Sequence, residues 1–371
     1  MLYLTDNPNL GASARVLLDW IRAARATNVE FHFALAQRGP LSSWLAEHQV
    51  PFVQSDMPWL DKRGAVRFAW HALQLAATAR RWGIDVVHAE HNVYPFAAPL
   101  ARLIRRPIVC HVHYLVERGF AEWAFSGWRA PDHVLWTSHA QHAECRDAVA
   151  GVVPASRQSV SYLGVSLTTF GANSGARDAL RRSWGVEPDT VVVGAANAIR
   201  PRKRVADFLQ IVDALTSRHR GVLGVLAGSA PPGDEDYERD MRQLSETCGL
   251  QGRLLWLGNL EPIEPFMHAI DVFVSTSEHE TFGMSICEAM ACGKPVAVYR
   301  AESAGEVVGT AGIVAETADL AALTGGVEQL VTSRSLRNTL GERARARVAS
   351  TFDPTVSLRE VAAVYRSLVD S

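Results

Sequence analysis

Cysteine and unbroken apolar sequence are both scarce in this chain of 371 residues. Its five cysteines, at positions 110, 145, 248, 287 and 292, form no CxxC pair and are odd in number, which excludes a fully paired disulfide framework. Reduced thiols in a cytoplasmic protein are the expectation. No apolar run reaches transmembrane length, and the opening MLYLTDNPNL lacks both the basic segment and the long apolar stretch of a secretory signal. Membrane contact, where there is any, is expected to be peripheral, through the first domain and on the inner face of the cytoplasmic membrane. An excess of one charge sign is missing as well. The 37 basic residues meet 39 acidic ones, and a net charge of −2 gives no reason to expect nucleic acid. No pair among His88, His91, His111 and His113 has a convincing metal-ligand spacing, so no metal site is expected.

What is present is ordinary globular composition, 48% apolar and 20% charged, in a chain too long for one comfortable core. Two domains are the prior. Before residue 170 there are 16 basic against 13 acidic residues, with ten of the 13 histidines and eight of the ten tryptophans; after it, 21 basic meet 26 acidic. A mildly basic, aromatic first half suits an acceptor site or a membrane-facing surface, and scattered amphipathic core residues account for it about as well. Both halves alternate short apolar strands with amphipathic helices, from Leu2 to Thr5 through Pro107 to His113 in the first and from Thr190 to Ala196 onward in the second. Repeated βα units of this size predict doubly wound parallel sheets, with ligands beyond the carboxyl ends of the strands. GANSGAR, Gly171 to Arg177, has the composition of a linker.

The most informative stretch is VFVSTSEHETFGMSICEAMACGKPVAV, Val272 to Val298. An apolar run passes through a polar loop to a helix at about Met284 to Cys292, which Gly293 and Pro295 stop before a second apolar run. This is a strand, loop, helix and strand, and it leaves the helix N-terminus open at the carboxyl edge of the sheet. Glu280 lies in the loop and Glu288 in the second helical turn. An acid in such a loop can accept hydrogen bonds from sugar hydroxyls, while Phe282, Gly283 and Met284 bring backbone N–H groups towards an anion. Alone, the pair reads equally well as a dipole-complementing acid and a solvated one.

The residues around it resemble the signature of the family 4 retaining glycosyltransferases, enzymes of the GT-B class, whose pattern runs roughly E-x-FG-x4-EA-x-A-x-G-x-PV. Glu280, Phe282, Gly283, Glu288, Ala289, Ala291, Gly293, Pro295 and Val296 match it. The resemblance implies an α/β protein of GT-B architecture, two doubly wound Rossmann-like domains facing across a cleft. Residues 1–170 would form the acceptor-binding domain, 171–352 the nucleotide-sugar-binding domain, and 353–371 a helix crossing back to the first. It implies that Glu280 faces the transferred sugar, that Glu288 holds the ribose hydroxyls, and that the backbone at Phe282, Gly283 and Met284 serves the sugar diphosphate. Arg200 and Lys203, in ANAIRPRKRVADFL, match a basic pair that embraces the diphosphate, although Arg204 stands where a glycine usually follows. Four cations at a helix start oppose the macrodipole, so an anionic ligand is the expected reason for them.

Further residues follow by resemblance. Gly11, an expected donor-binding residue, belongs to the first loop, where the family usually has a glycine pair that approaches the donor phosphates and the acceptor; Gly228 ends a strand against the nucleotide; His113 ends PIVCHVH facing the sugar or acceptor, and His111 is expected, from strand alternation rather than resemblance, on the opposite face. The expected catalytic set is thus Glu280, His113, Arg200 and Lys203. The glycine pair that normally precedes Glu306 is absent from AESAGEVV. Asp234 and Asp236 form an Asp-x-Asp pair, read here as a helix start rather than a metal site. RGFAEWAFSGWRAP, Arg118 to Pro131, is either an amphipathic surface for a lipid-linked acceptor or a packed loop and short helix. The function implied is metal-independent, retaining transfer from a nucleotide sugar to a saccharide, lipid-linked or small-molecule acceptor, without a cofactor, in cell-envelope polysaccharide or glycoconjugate synthesis. A non-catalytic sugar-nucleotide-binding protein on the same fold is the alternative.

Overall fold

The computed structural model of the protein describes residues 1–59, 64–171 and 174–370. The chain divides into two compact units, Met1–Gly164 with Pro354–Ser371, and Val165–Asp353. That division falls short of the boundary expected at residue 170. Ala172 and Asn173 of the expected linker lie outside the described residues, and Ser174 already opens a helix.

The first unit runs β1 (Leu2–Thr5), α1 (Ala12–Ala23), β2 (His32–Leu35), α2 (Pro40–Glu47), β3 (Phe52–Gln54), α3 (Ala65–Arg81) and β4 (Val87–Glu90). It continues with α4 (Tyr94–Ile104), β5 (Ile108–Val112), α5 (Arg118–Ala124), β6 (His133–Trp136), α6 (His139–Glu144), α7 (Arg146–Val149) and β7 (Gln158–Val160). All strand pairs are parallel, in the order β3-β2-β1-β4-β5-β6-β7. Strands covered on both faces by helices must be apolar throughout, and β1, β4 and β5 are buried at every position. The order reverses between β1 and β4. Right-handed crossovers then put α1 and α2 on one face of the sheet and α3, α4 and α5 on the other.

The second unit runs α8 (Ser174–Ser183), β8 (Val191–Ala196), α9 (Val205–Arg218), β9 (Val222–Ala227), α10 (Glu235–Thr247), β10 (Leu254–Gly258), α11 (Glu264–Ala269) and β11 (Val272–Ser275). Then come α12 (Met284–Ala291), β12 (Val296–Tyr299), α13 (Ser303–Val308), β13 (Ile313–Ala315), α14 (Leu320–Thr332) and α15 (Arg334–Thr351). Its sheet is parallel too, ordered β10-β9-β8-β11-β12-β13, and it reverses between β8 and β11. The last helix, α16 (Pro354–Val369), belongs to the first unit. It is fixed there by polar contacts in an apolar setting: Trp20 Nε1 donates to Ser357 Oγ at 2.9 Å, and the Tyr365 hydroxyl lies 2.6 Å from His88 Nδ1.

Candidate active site

In a doubly wound sheet the crevice opens where the strand order reverses, because the loops leaving the two central strands turn away from each other. In the second unit that place is the carboxyl end of β8 and β11, and both loops are chemically distinctive. After β8 the chain makes a single 3-10 turn, Pro201–Lys203, and Arg204 then takes the left-handed conformation, φ 47°, before α9 begins. The left-handed backbone explains why a glycine suits this position, and Arg204 adopts it at a small conformational cost.

The two loops are stitched together. Thr276 Oγ1 donates to the Lys203 carbonyl at 2.9 Å, and the Glu278 N–H to the Arg202 carbonyl at 3.0 Å. Lys203 Nζ is ion-paired with Glu280 Oε1, both side chains mostly buried at 14% and 13% exposure. Arg200 donates to Asp234 Oδ2 through Nε at 2.9 Å and Nη2 at 2.8 Å. Arg204 pairs with Asp207 at 2.8 Å and with Glu278 at 3.5 Å. Arg200, Lys203 and Arg204 thus each face an internal carboxylate. Asp207 lies in the same sequence window as the cations, whereas Asp234, Glu278 and Glu280 are supplied by long-range folding. Two polar atoms nearby do remain unsatisfied, Arg202 Nε and Asn197 Oδ1, both buried without a hydrogen-bond partner.

Asp234 is the N-cap residue of α10, and Asp236 sits in its first turn paired with Arg239 at 2.5 Å, so the Asp-x-Asp pair is a helix start. Among the described residues, no group of three or more His, Cys, Asp or Glu side chains is placed to hold a metal ion.

Gly283 is the N-cap of α12 with φ 91°, and a Cβ there would lie 2.9 Å from Ile286 Cδ1, so backbone geometry requires glycine. Phe282 is buried against Phe352, ring centroids 5.4 Å apart. Met284 is the first helical residue. Glu288 is 2% exposed, which rules out the solvated-acid reading of that position. Gly228, φ 125°, lies so close to the loop after β8 that a Cβ would come within 1.9 Å of the Asn197 carbonyl oxygen. The Glu280 loop is held from behind by Glu302, whose carboxylate accepts from the Glu280 N–H at 2.8 Å and from His279 Nδ1 at 2.6 Å. Ala301 and Glu302 carry φ of 25° and 32°, in the segment where the related pattern has glycines. Positive φ is thus kept at these two positions without glycine, with strain of about 1 kcal/mol or more per residue.

In the first unit the reversal lies between β1 and β4. Gly11 caps α1 in extended backbone, φ −59° and ψ −176°, with nothing within 4 Å of an added Cβ. Neither conformation nor packing demands glycine there. His113 follows β5, and its ring lies 4.3 Å from that of His111, centroid to centroid. The placement of His111 on the opposite face is thereby overturned, since residues two apart share one face of a strand. Burial, followed by the neighbouring imidazoles His111 and His91, holds His113 well below the usual histidine range, so the ring is neutral near pH 7. His91 and His88 are pushed down by burial to about 4 and about 3. Sequence reasoning missed Glu90, which ends β4 at the reversal and accepts from the Tyr3 hydroxyl at 3.2 Å; burial raises its carboxyl to about 7. An acid closing a strand that is buried at every position was the available signal. It also missed Asp234 as Arg200's partner and Glu302.

The sequence profile described as Glycosyl transferases group 1 matches residues 176–347, and that described as Glycosyltransferase Family 4 matches 13–169. The chain belongs to the family 4 glycosyltransferases. This glycosyltransferase, an enzyme of sugar transfer on the GT-B fold, is 30% identical over 310 residues to the 2-deoxystreptamine N-acetyl-D-glucosaminyltransferase of Streptomyces fradiae, covering 76% of this chain and 70% of that one. It is 26% identical to the lipopolysaccharide core biosynthesis mannosyltransferase LpsB of Rhizobium meliloti, over 76% of this chain and 80% of the relative. Among solved structures, Anabaena Alr3699/HepE in complex with UDP and glucose superimposes with a TM-score of 0.85 at 25% identity, covering 99% of both chains. The fold of the glycosyltransferase, two doubly wound Rossmann-like units, agrees with that neighbour throughout.

Proposed function

We propose that this glycosyltransferase takes its sugar from a nucleoside diphosphate sugar and passes it, with retention of anomeric configuration and without a metal, to a saccharide, lipid-linked or small-molecule acceptor in polysaccharide or glycoconjugate synthesis. The observation that carries the reading is the Lys203 and Glu280 pair at the β8/β11 reversal, next to the open N-terminus of α12. A diphosphate there would draw Lys203 from Glu280 and leave the carboxylate to accept from the sugar. Arg200 would hold the same diphosphate with Gly228 close by, the N–H groups around Phe282, Gly283 and Met284 would complete the cradle, and Glu288 would serve the ribose. The departing diphosphate carries the negative charge, so preorganised cations lower the barrier directly. In the first unit, Gly11 and the neutral His113 would meet the acceptor. A neutral imidazole can donate or accept a hydrogen bond there but brings no charge.

A thermal-shift panel of nucleotide sugars, followed by NMR of the product's anomeric configuration, tests this. The non-catalytic alternative requires binding without turnover. In this reading the neutralising charge comes from Arg200 and Lys203, so EDTA is expected to leave the rate unchanged; a rate that collapses with chelator and returns with manganese would count against it.

The peripheral membrane contact is also a proposal, supported by the first unit's surface. Val66, Trp70 and Leu73, spaced at helical intervals along α3, are exposed, as are Trp59, Trp123 and Trp128. Arg129 lies between the last two, 5.6 and 5.5 Å from their ring centroids. Tryptophan and arginine together suit a bilayer interface. Trp70→Ser with Trp128→Ser should reduce cosedimentation with anionic phosphatidylglycerol vesicles about tenfold or more. Unchanged binding would refute this surface.

A further inference from the structure

At the opposite, amino-terminal edge of the second unit's sheet, the segments entering β8, β11 and β12 line a cavity of about 460 Å3. Five basic residues, Arg177, Arg181, Lys294, Arg334 and Arg337, face it with only two acidic ones, Asp189 and Asp271. Part of this set is structural. Arg177 Nη1 donates to the His268 carbonyl at 2.9 Å, Arg181 Nη1 to the Ala269 carbonyl at 3.1 Å and Lys294 Nζ to the His268 carbonyl at 2.8 Å, all at the carboxyl end of α11. A helix end of that kind carries about half a negative charge. Asp271 adds one more, shared between Arg177 at 2.6 Å and Arg181 at 2.8 Å.

The five cations therefore meet two carboxylates, Asp189 and Asp271, and about half a charge from the helix end, an excess of about two to three. Among the described residues, Lys294, Arg334 and Arg337 have no carboxylate within ion-pair distance; Arg337 donates instead to the Leu330 and Val331 carbonyls at 2.7 and 2.8 Å. Burial first, and then Arg177, pushes the Lys294 ammonium down to about 8.

We propose that this cavity is a second anion site of the enzyme, taking a phosphate dianion, free or as a monoester, apart from the donor loops at the carboxyl edge. The excess of about two to three positive charges matches a dianion better than a carboxylate, and the arginine forks fit phosphate oxygens. The volume admits a phosphorylated metabolite. Occupancy would stabilise the folded protein by mass action.

The test is calorimetry on full-length protein carrying Arg200→Ala and Lys203→Ala, which silences the donor loops, with inorganic phosphate and glucose 6-phosphate as separate probes. One phosphate should bind, and adding Arg334→Glu or Lys294→Met should weaken it about tenfold or more. Tighter binding of glucose 6-phosphate would identify a monoester, and tighter binding of inorganic phosphate the free ion. Arg334 is exposed in the first turn of α15, where glutamate complements the dipole, so that variant should fold even if Lys294→Met does not. Absence of phosphate binding in the silenced protein, or parental affinity in Arg334→Glu, would overturn the proposal. Because the donor loops are already silenced, neither result bears on the reading of Lys203 and Glu280.

Discussion

Glu280→Gln and Glu288→Gln should separate the two halves of the donor. Each preserves shape and removes a charge, so the loss expected where the side chain is used is about 1.5–3 kcal/mol, roughly ten- to a hundredfold. If Glu288 accepts from the ribose diol, Glu288→Gln weakens the free nucleoside diphosphate and the intact nucleotide sugar alike, since both carry that diol. Glu280→Gln behaves differently because Glu280 is the partner of Lys203. Removing its charge releases the ammonium for the diphosphate, so affinity for the nucleoside diphosphate should hold or rise while sugar transfer slows. Titration calorimetry with both ligands, beside single-turnover rates, makes the comparison. Wild-type affinity and turnover in both variants would make the motif structural only.

Arg200→Ala and Lys203→Ala are the second pair. Each removes a charge-assisted contact to the diphosphate of roughly 1.5–3 kcal/mol, so turnover should fall about ten- to a hundredfold. Their costs in stability should differ from each other. Arg200→Ala leaves Asp234 at the N-terminus of α10, where the helix dipole still favours the carboxylate, so melting should barely move. Lys203→Ala strands Glu280 at 13% exposure, which costs on the order of 1–3 kcal/mol. Loss of activity in step with melting temperature for Arg200→Ala would mean that this arginine serves the fold and not the ligand.

Local pattern and chain order determined a good deal. The continuous apolar strands and the glycine and proline stops around Met284 to Cys292 specified parallel βα units, because burial on both faces of a sheet leaves no freedom for polar alternation. The motif from Glu280 to Val296 located the loop and helix of the candidate site, since a helix N-terminus at a strand's carboxyl end is fixed by chain order alone. Tertiary structure decided everything that depends on elements far apart in sequence. It supplied Asp234 and Glu280 as counter-charges to Arg200 and Lys203, 34 and 77 residues away, and Glu302 as the brace of the Glu280 loop, 22 residues on. It buried Glu288 and gathered five cations at the far edge of the same sheet. The physical reason is that charge balance and desolvation are set by which side chains meet in space, and a one-dimensional pattern fixes periodicity but not those meetings.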